Sequence, residues 1–199
     1  MSAPRGPGAT RDGDAVGAAW LQDVLLQLRK VKALADGALA QTSDAHFFAE
    51  LDGETNSIAL TLKHLCGNMR SRWTDFLTTD GEKPDRQRDR EFVREAGDTR
   101  AVLAARWEEC WRLVLSVIGA LQPADLSRTV TIRGEPHSVL QAIQRQVSHY
   151  SYHVGQIVLL ARHHAGPGWR SLSIPRGESA TYEVARDGST FDPRKGSAP

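Results

Sequence analysis

The stretch SVLQAIQRQVSHYSYHVGQIVLLARHH at residues 138–164 decides the fold. It predicts one long helix from near Ser138 to near His164, with Gly166 as its C-cap and Pro167 just beyond. Inside it His149 and His153 stand four residues apart. At roughly 100° per residue this puts two imidazoles on one face, about 40° apart. The same stripe runs through Ala142, Arg145, Gln146, Gln156 and Leu160. Neutral imidazole suits Zn, Ni, Cu or Fe, whereas Mg or Ca would ask for oxygen ligands. Two histidines four apart also occur often by chance, and exposed or hydrogen-bonded histidines are the bland reading of such a pair.

Three further helices are expected upstream. Apolar residues recur at helical spacing from about Ala15 to Ala40, with Trp20, Val24, Leu28, Val31 and Leu34/Ala35 on one stripe. Thr42-Ser43-Asp44 reads as a turn with an N-cap before a short piece, AHFFAEL. A second long helix is expected from about Thr55 to Leu77, with Ile58, Leu62, Leu65, Met69, Trp73 and Phe76 facing the core. A third is expected from about Thr99 to Leu121, capped by Asp98, packed through Trp107 and Trp111, and stopped by Gln122-Pro123. Between these two helices, residues 80–98 (DGEKPDRQRDREFVREAGD) carry twelve charged side chains in nineteen. That composition predicts a wet, loosely attached loop anchored only by Phe92 and Val93. Ser127–His137 is rich in β-formers and reads as extended, turning through Arg133–Pro136. The expectation is an all-α four-helix bundle at residues 14–176, with a short extended segment before the last long helix. Residues 1–13 should form a disordered tail, and residues 177–199 a partly disordered one.

The whole chain narrows the function classes. At 199 residues it fits one domain, and with 40% hydrophobic side chains it can bury a core. A formal net charge of +1 lacks the basic excess that drives phosphate-backbone binding, so nucleic acid is not an expected partner. No run of eighteen apolar residues argues for a membrane span, and the N-terminal stretch lacks the apolar core of a secretory signal. The two cysteines, Cys66 and Cys110, make no disulfide framework, so a reducing cytoplasm is the default compartment.

His64 is the natural third ligand. It lies mid-helix in TLKHLCGNMR, on a stripe continuing through Asn68, Ser71 and Asp75. A polar stripe on a helix that must face the last helix is costly unless something satisfies it, and a shared metal would do so. Spacing alone leaves open whether His64 converges with the pair. Cys66, two residues on, points about 200° away and reads as a buried thiol rather than a fourth ligand. Cys110 reads as core. His163 and His164 fall in the last turn, where capping the helix dipole is their expected role, and His46 and His137 receive none. Arg70, Arg72 and Asp75 could orient a charged substrate or form surface ion pairs. Asn68 could serve a neighbour of the metal or a ligand. Tyr150 is expected in the core and Tyr152 at a pocket wall.

SIALTLKHLCGNMRSRWTDFLTTDGEKP and SVLQAIQRQVSHYSYHVGQIVLL resemble the DinB-like superfamily of four-helix-bundle metalloproteins, in particular a subfamily of unassigned function. The resemblance spans roughly residues 15–176. It implies one divalent metal ion, zinc or nickel ahead of iron or manganese, held by His64, His149 and His153. The helix stripes, rather than the resemblance, suggest Asn68, Arg145, Tyr152 and Gln156 as the lining of an adjoining pocket, and the resemblance adds an expected homodimer. Relatives in that superfamily include thiol S-transferases that use bacillithiol. The implied function is therefore a metal-dependent transfer of a small-molecule thiol to an electrophile. A non-catalytic metal-binding dimer and a metal-dependent hydrolase are the rival readings.

Overall fold

A computed structural model describes residues 8–180, with side chains from residue 13 onward. The chain is mostly helical. Helix α1 spans Gly8–Leu39, α2 Asp44–Phe47, α3 Ile58–Trp73, α4 Arg100–Ala120 and α5 Val139–Ala165. Strands β1 (Thr129–Ile132) and β2 (Glu135–Ser138) form an antiparallel hairpin ahead of α5. The four long helices share one core, with α1 against α4 and α5, and α3 against α4 and α5.

Sequence chemistry sets most of the boundaries. Ser57 caps α3 by accepting from the Leu60 amide at 3.3 Å. Ser138 and Gln141 form a reciprocal capping box at the start of α5. Gly166, with φ of 54°, ends that helix. The expected inward faces of α3 and α5 are buried, including Ile58, Leu62, Leu65, Met69, Trp73 and Tyr150. Trp73 donates its indole N–H to the Tyr150 hydroxyl at 2.8 Å, joining α3 to α5.

Several boundaries differ from expectation. Helix α1 begins at Gly8 rather than near Ala15, so residues 8–13 are helical and not tail. The remaining tail residues, 1–7 and 181–199, lie outside the described part. Helix α3 ends at Trp73, because Thr74 turns extended and Asp75 takes a positive φ of 48°. Thr99 caps α4 in place of Asp98. Asp98 is buried and accepts from Lys63 Nζ at 2.7 Å and from the Glu95 amide at 2.8 Å. In α4, Leu103 is buried and its neighbour Val102 is exposed.

The largest correction concerns residues 80–98, which are docked at several points rather than loosely attached. A 3-10 turn covers Arg88–Phe92, and Glu91 is only 7% exposed. Asp80 clamps the β-hairpin turn, accepting from the Arg133 and Gly134 amides at 2.8 Å each. Both turn residues have positive φ, 56° and 75°, as a two-residue hairpin with the strands' own twist requires. Glycine meets that demand freely, but Arg133 does not, so the Asp80 bonds hold a strained residue in place.

Burial works against the charge on Asp80, but the backbone bonds outweigh it and hold its carboxyl down at about 2. A carboxyl lowered on folding stabilises the protein above its unfolded value of about 3.9, and that contribution fades as pH falls toward 2. Thermal melts between pH 5 and pH 2 should therefore show a falling midpoint. Asp80→Asn should have a lower midpoint than the parent at pH 6, with the gap closing by pH 2.

Candidate metal centre

Helices α3 and α5 meet at three imidazoles. His64 comes from the middle of α3, and His149 and His153 from one face of α5. His64 Nε2 lies 3.3 Å from His149 Nε2. The ring centroids are 4.7 Å apart for His149–His153, 4.9 Å for His64–His153 and 5.4 Å for His64–His149. One nitrogen from each ring falls within 4.8 Å of the other two, close enough to hold a single ion. Two nitrogens bound to one tetrahedral zinc at about 2.0–2.1 Å stand roughly 3.3–3.4 Å apart, the separation of the His64 and His149 nitrogens. The residues therefore fit a divalent ion.

The protonation states suit such an ion. Burial, then the neighbouring His153 and His64, pushes His149 down to about 3. Burial likewise lowers His153, against the opposing pull of its bond to Gln156. Both imidazoles are neutral near pH 7 and offer lone pairs, as metal ligation demands.

Two ring orientations are fixed from behind. Glu91 Oε2 sits 2.9 Å from His64 Nδ1, and Gln156 Oε1 sits 2.7 Å from His153 Nδ1. With Nδ1–H donating to these oxygens, each Nε2 is left as the ligand atom. This is the carboxylate–histidine arrangement found behind metal-bound imidazoles. Glu91 is itself gripped by Arg86, whose Nε and Nη2 reach its two oxygens at 2.8 and 2.9 Å. Burial opposes the charge on Glu91, but Arg86 first and His64 second hold its carboxyl below the usual range. Phe92 stacks on the His64 ring with centroids 4.7 Å apart.

Glu91 is the functional residue that sequence reasoning missed, because it lies in the segment read as a solvated loop. Gly67 carries a second unread signal. A Cβ built there overlaps Glu91 Oε1 and falls 2.5 Å from Glu91 Cδ. Only glycine lets the carboxylate pass over α3 to reach His64.

The other expected site residues divide. Gln156 holds His153, and Asn68 is buried one turn beyond His64. Tyr152 is 64% exposed, its ring 4.9 Å from that of His153, so it stands outside the cluster rather than lining a closed pocket. Arg145 is exposed and turned toward β2, with Nη1 3.5 Å from His137 Nε2. It is therefore not brought to the imidazoles. Arg70 forms an exposed ion pair with Asp85, the bland alternative. Asp75 is exposed at the end of α3. Arg72 is buried and donates to Gly81 O and, at 2.8 Å, to Glu82. Cys66 and Cys110 are buried neighbours, and the Cys110 hydrogen bond and burial hold the Cys66 thiol well above its ordinary range. His164 stacks on His46 with centroids 4.7 Å apart.

A helical protein carrying a three-histidine cluster is thus the class that fold and site define. Residues 15–178 match the family model described as a protein of unknown function (DUF1572), and the chain belongs to that family. No curated protein and no solved structure matches it.

Loss of an outer partner commonly costs a metal site about 10–100-fold in affinity. Gly67→Ala should weaken zinc binding by about that factor in a chelator competition titration, with α-helical content retained. Glu91→Ala leaves buried Arg86 with only its longer contact to Glu82, at 3.3 Å, and should lower unfolding free energy by about 3 kcal/mol in urea melts.

Proposed function

We propose that this chain is a divalent-metal protein of the DinB-like class, a four-helix bundle acting as a metal-dependent thiol S-transferase on electrophilic small molecules. The observation that carries the metal is the convergence of three imidazoles, two of them oriented by hydrogen bonds at Nδ1. Zinc or nickel suits an all-nitrogen set of this kind better than magnesium or calcium.

His64, His149 and His153 would hold the ion through one nitrogen each, leaving coordination positions open as in catalytic zinc sites. When bound there, the ion supplies Lewis acidity that lowers the pKa of a thiol or a water. The chain's own residues contribute orientation and charge balance. Glu91 and Gln156 keep two rings from rotating, and the Glu91 charge offsets part of the ion's positive charge. A bacillithiol-type thiol is the proposed cosubstrate, and a homodimer the proposed assembly.

A second reading has a specific observation behind it. His64 is only 4% exposed and lies between α3 and α5, so an ion there would also pin two helices together. In that reading the ion serves stability rather than chemistry.

Elemental analysis separates the first question from the second. The purified chain should carry about one transition metal per protomer, and a His149→Ala/His153→Ala variant should carry almost none. Equal metal content in both would sink the site. The zinc-loaded chain is then incubated with bacillithiol, mycothiol or glutathione and a chlorinated aromatic or epoxide. Metal-dependent conjugate formation supports the transferase. Its absence with every thiol, together with a metal-dependent rise in Tm, supports the pinning role.

A further inference from the structure

Helices α3 and α5 bury five side-chain polar atoms without a hydrogen-bond partner: Asn68 Oδ1, Arg72 Nε, Gln146 Oε1, His149 Nδ1 and, in the last turn of α5, His164 Nε2. Asn68, Arg72 and Gln146 are 5%, 6% and 3% exposed, so bulk solvent does not serve them. A buried polar atom left without a partner is costly, and such atoms in native proteins are commonly served by an ordered water.

Their placement is informative. His64, Asn68 and Arg72 recur every four residues on α3 and form one stripe. His149 meets the first of these directly, at 3.3 Å. Asn68 follows His64 by one turn on this stripe and so shares the side of α3 that His149 meets. Gln146 stands one turn before His149 on α5, and helical side chains lean toward the preceding turn, which tilts the His149 ring toward it.

The donor and acceptor count closes for His149, Asn68 and Gln146. Once His149 commits Nε2 to an ion, its Nδ1 must carry a proton and needs an acceptor. His64 has Glu91 for this purpose and His153 has Gln156. His149 alone has none. The two orphaned carboxamide oxygens are the complementary acceptors. A buried water commonly makes about three hydrogen bonds to such groups.

We infer that Asn68 is the positioning residue for His149: a buried water accepts from His149 Nδ1–H and donates to Asn68 Oδ1 and Gln146 Oε1, fixing the ring for metal binding. This rests on the three-histidine site binding an ion. All three ligand imidazoles would then have an outer partner, with Asn68 doing for His149 what Glu91 does for His64.

The test uses the full chain loaded with zinc. Asn68→Leu should weaken zinc affinity about 10–100-fold in chelator competition. Asn68→Asp, which keeps an acceptor oxygen, should restore it to within a few-fold. Nitrogen-15 NMR of the imidazoles adds a readout that a packing role would not move. The zinc-loaded parent should show a slowly exchanging His149 Nδ1–H, lost in Asn68→Leu and regained in Asn68→Asp. Should Asn68→Leu fail to fold by circular dichroism, Asn68→Ala gives the same comparison without added bulk. Parent-like affinity and an unchanged Nδ1–H signal in the apolar variant would overturn the assignment. If the parent itself binds no zinc, the metal reading has failed instead, and Asn68 has no ligand to position.

Discussion

Arg72, Glu82, Arg86, Glu91 and His64 form a continuous line of charge-assisted contacts against α3. The two guanidinium and two carboxylate charges cancel, and each group between the ends touches two others. Side-chain exposure is 7% for Arg72, 5% for Arg86 and 9% for Glu91. An isolated charge buried to that degree would cost several kcal/mol, and removing one member strands its neighbours. The line therefore stands or falls as a unit, and it seats the segment between α3 and α4 on the helix that carries His64.

From this line follows the state of the cluster. An imidazole buried between helices has two nitrogens to satisfy, and a free ring could turn either one inward. Glu91 removes that choice for His64, because a carboxylate anchored by Arg86 accepts a proton from Nδ1 and from nothing else on the ring. The Nε2 lone pair is then committed toward His149. Desolvation keeps His149 and His153 neutral, so these two imidazoles need lose no proton to offer a lone pair to an ion. The rotations that a metal would otherwise have to freeze are largely frozen beforehand.

Periodicity made the three histidines legible. His149 and His153 announce a shared face by spacing, and the polar stripe through His64 and Asn68 announces a helix side needing compensation. The start of α5 at Ser138 and its end at Gly166 could be read from residue type alone, because each satisfies a local rule of helix ends. The shell behind the ligands was not legible. Glu91 lies among twelve charges in nineteen residues, and no local rule says which of several acids will be buried by a contact 27 residues away. Arg145 shows the converse. It shares the histidine stripe by count, yet its long side chain follows the hairpin outward to His137. Spacing ranks backbone positions, and long flexible side chains need not obey it.

The segment 80–98 also determines which face of α5 the site receives. At its start Asp80 fastens the hairpin turn, and β2 runs without a break into the Ser138 cap of α5. Toward its end Glu91 fastens His64 on α3. Gly81 adds a third tie, donating its amide to Thr131 O at 2.8 Å while its own carbonyl accepts from Ser71 Oγ on α3 at 2.9 Å. The start of α5 and the ligand on α3 are therefore referred to one short stretch of chain. This matters because a slip of one residue in α5 would turn its side chains by about 100° and carry both imidazoles away from His64. Tyr150 enforces the same register from the core, since only one rotation of α5 brings its hydroxyl to the Trp73 indole. A segment that composition alone would leave to solvent thus sets the angular position of a helix, and through it the convergence of the three histidines.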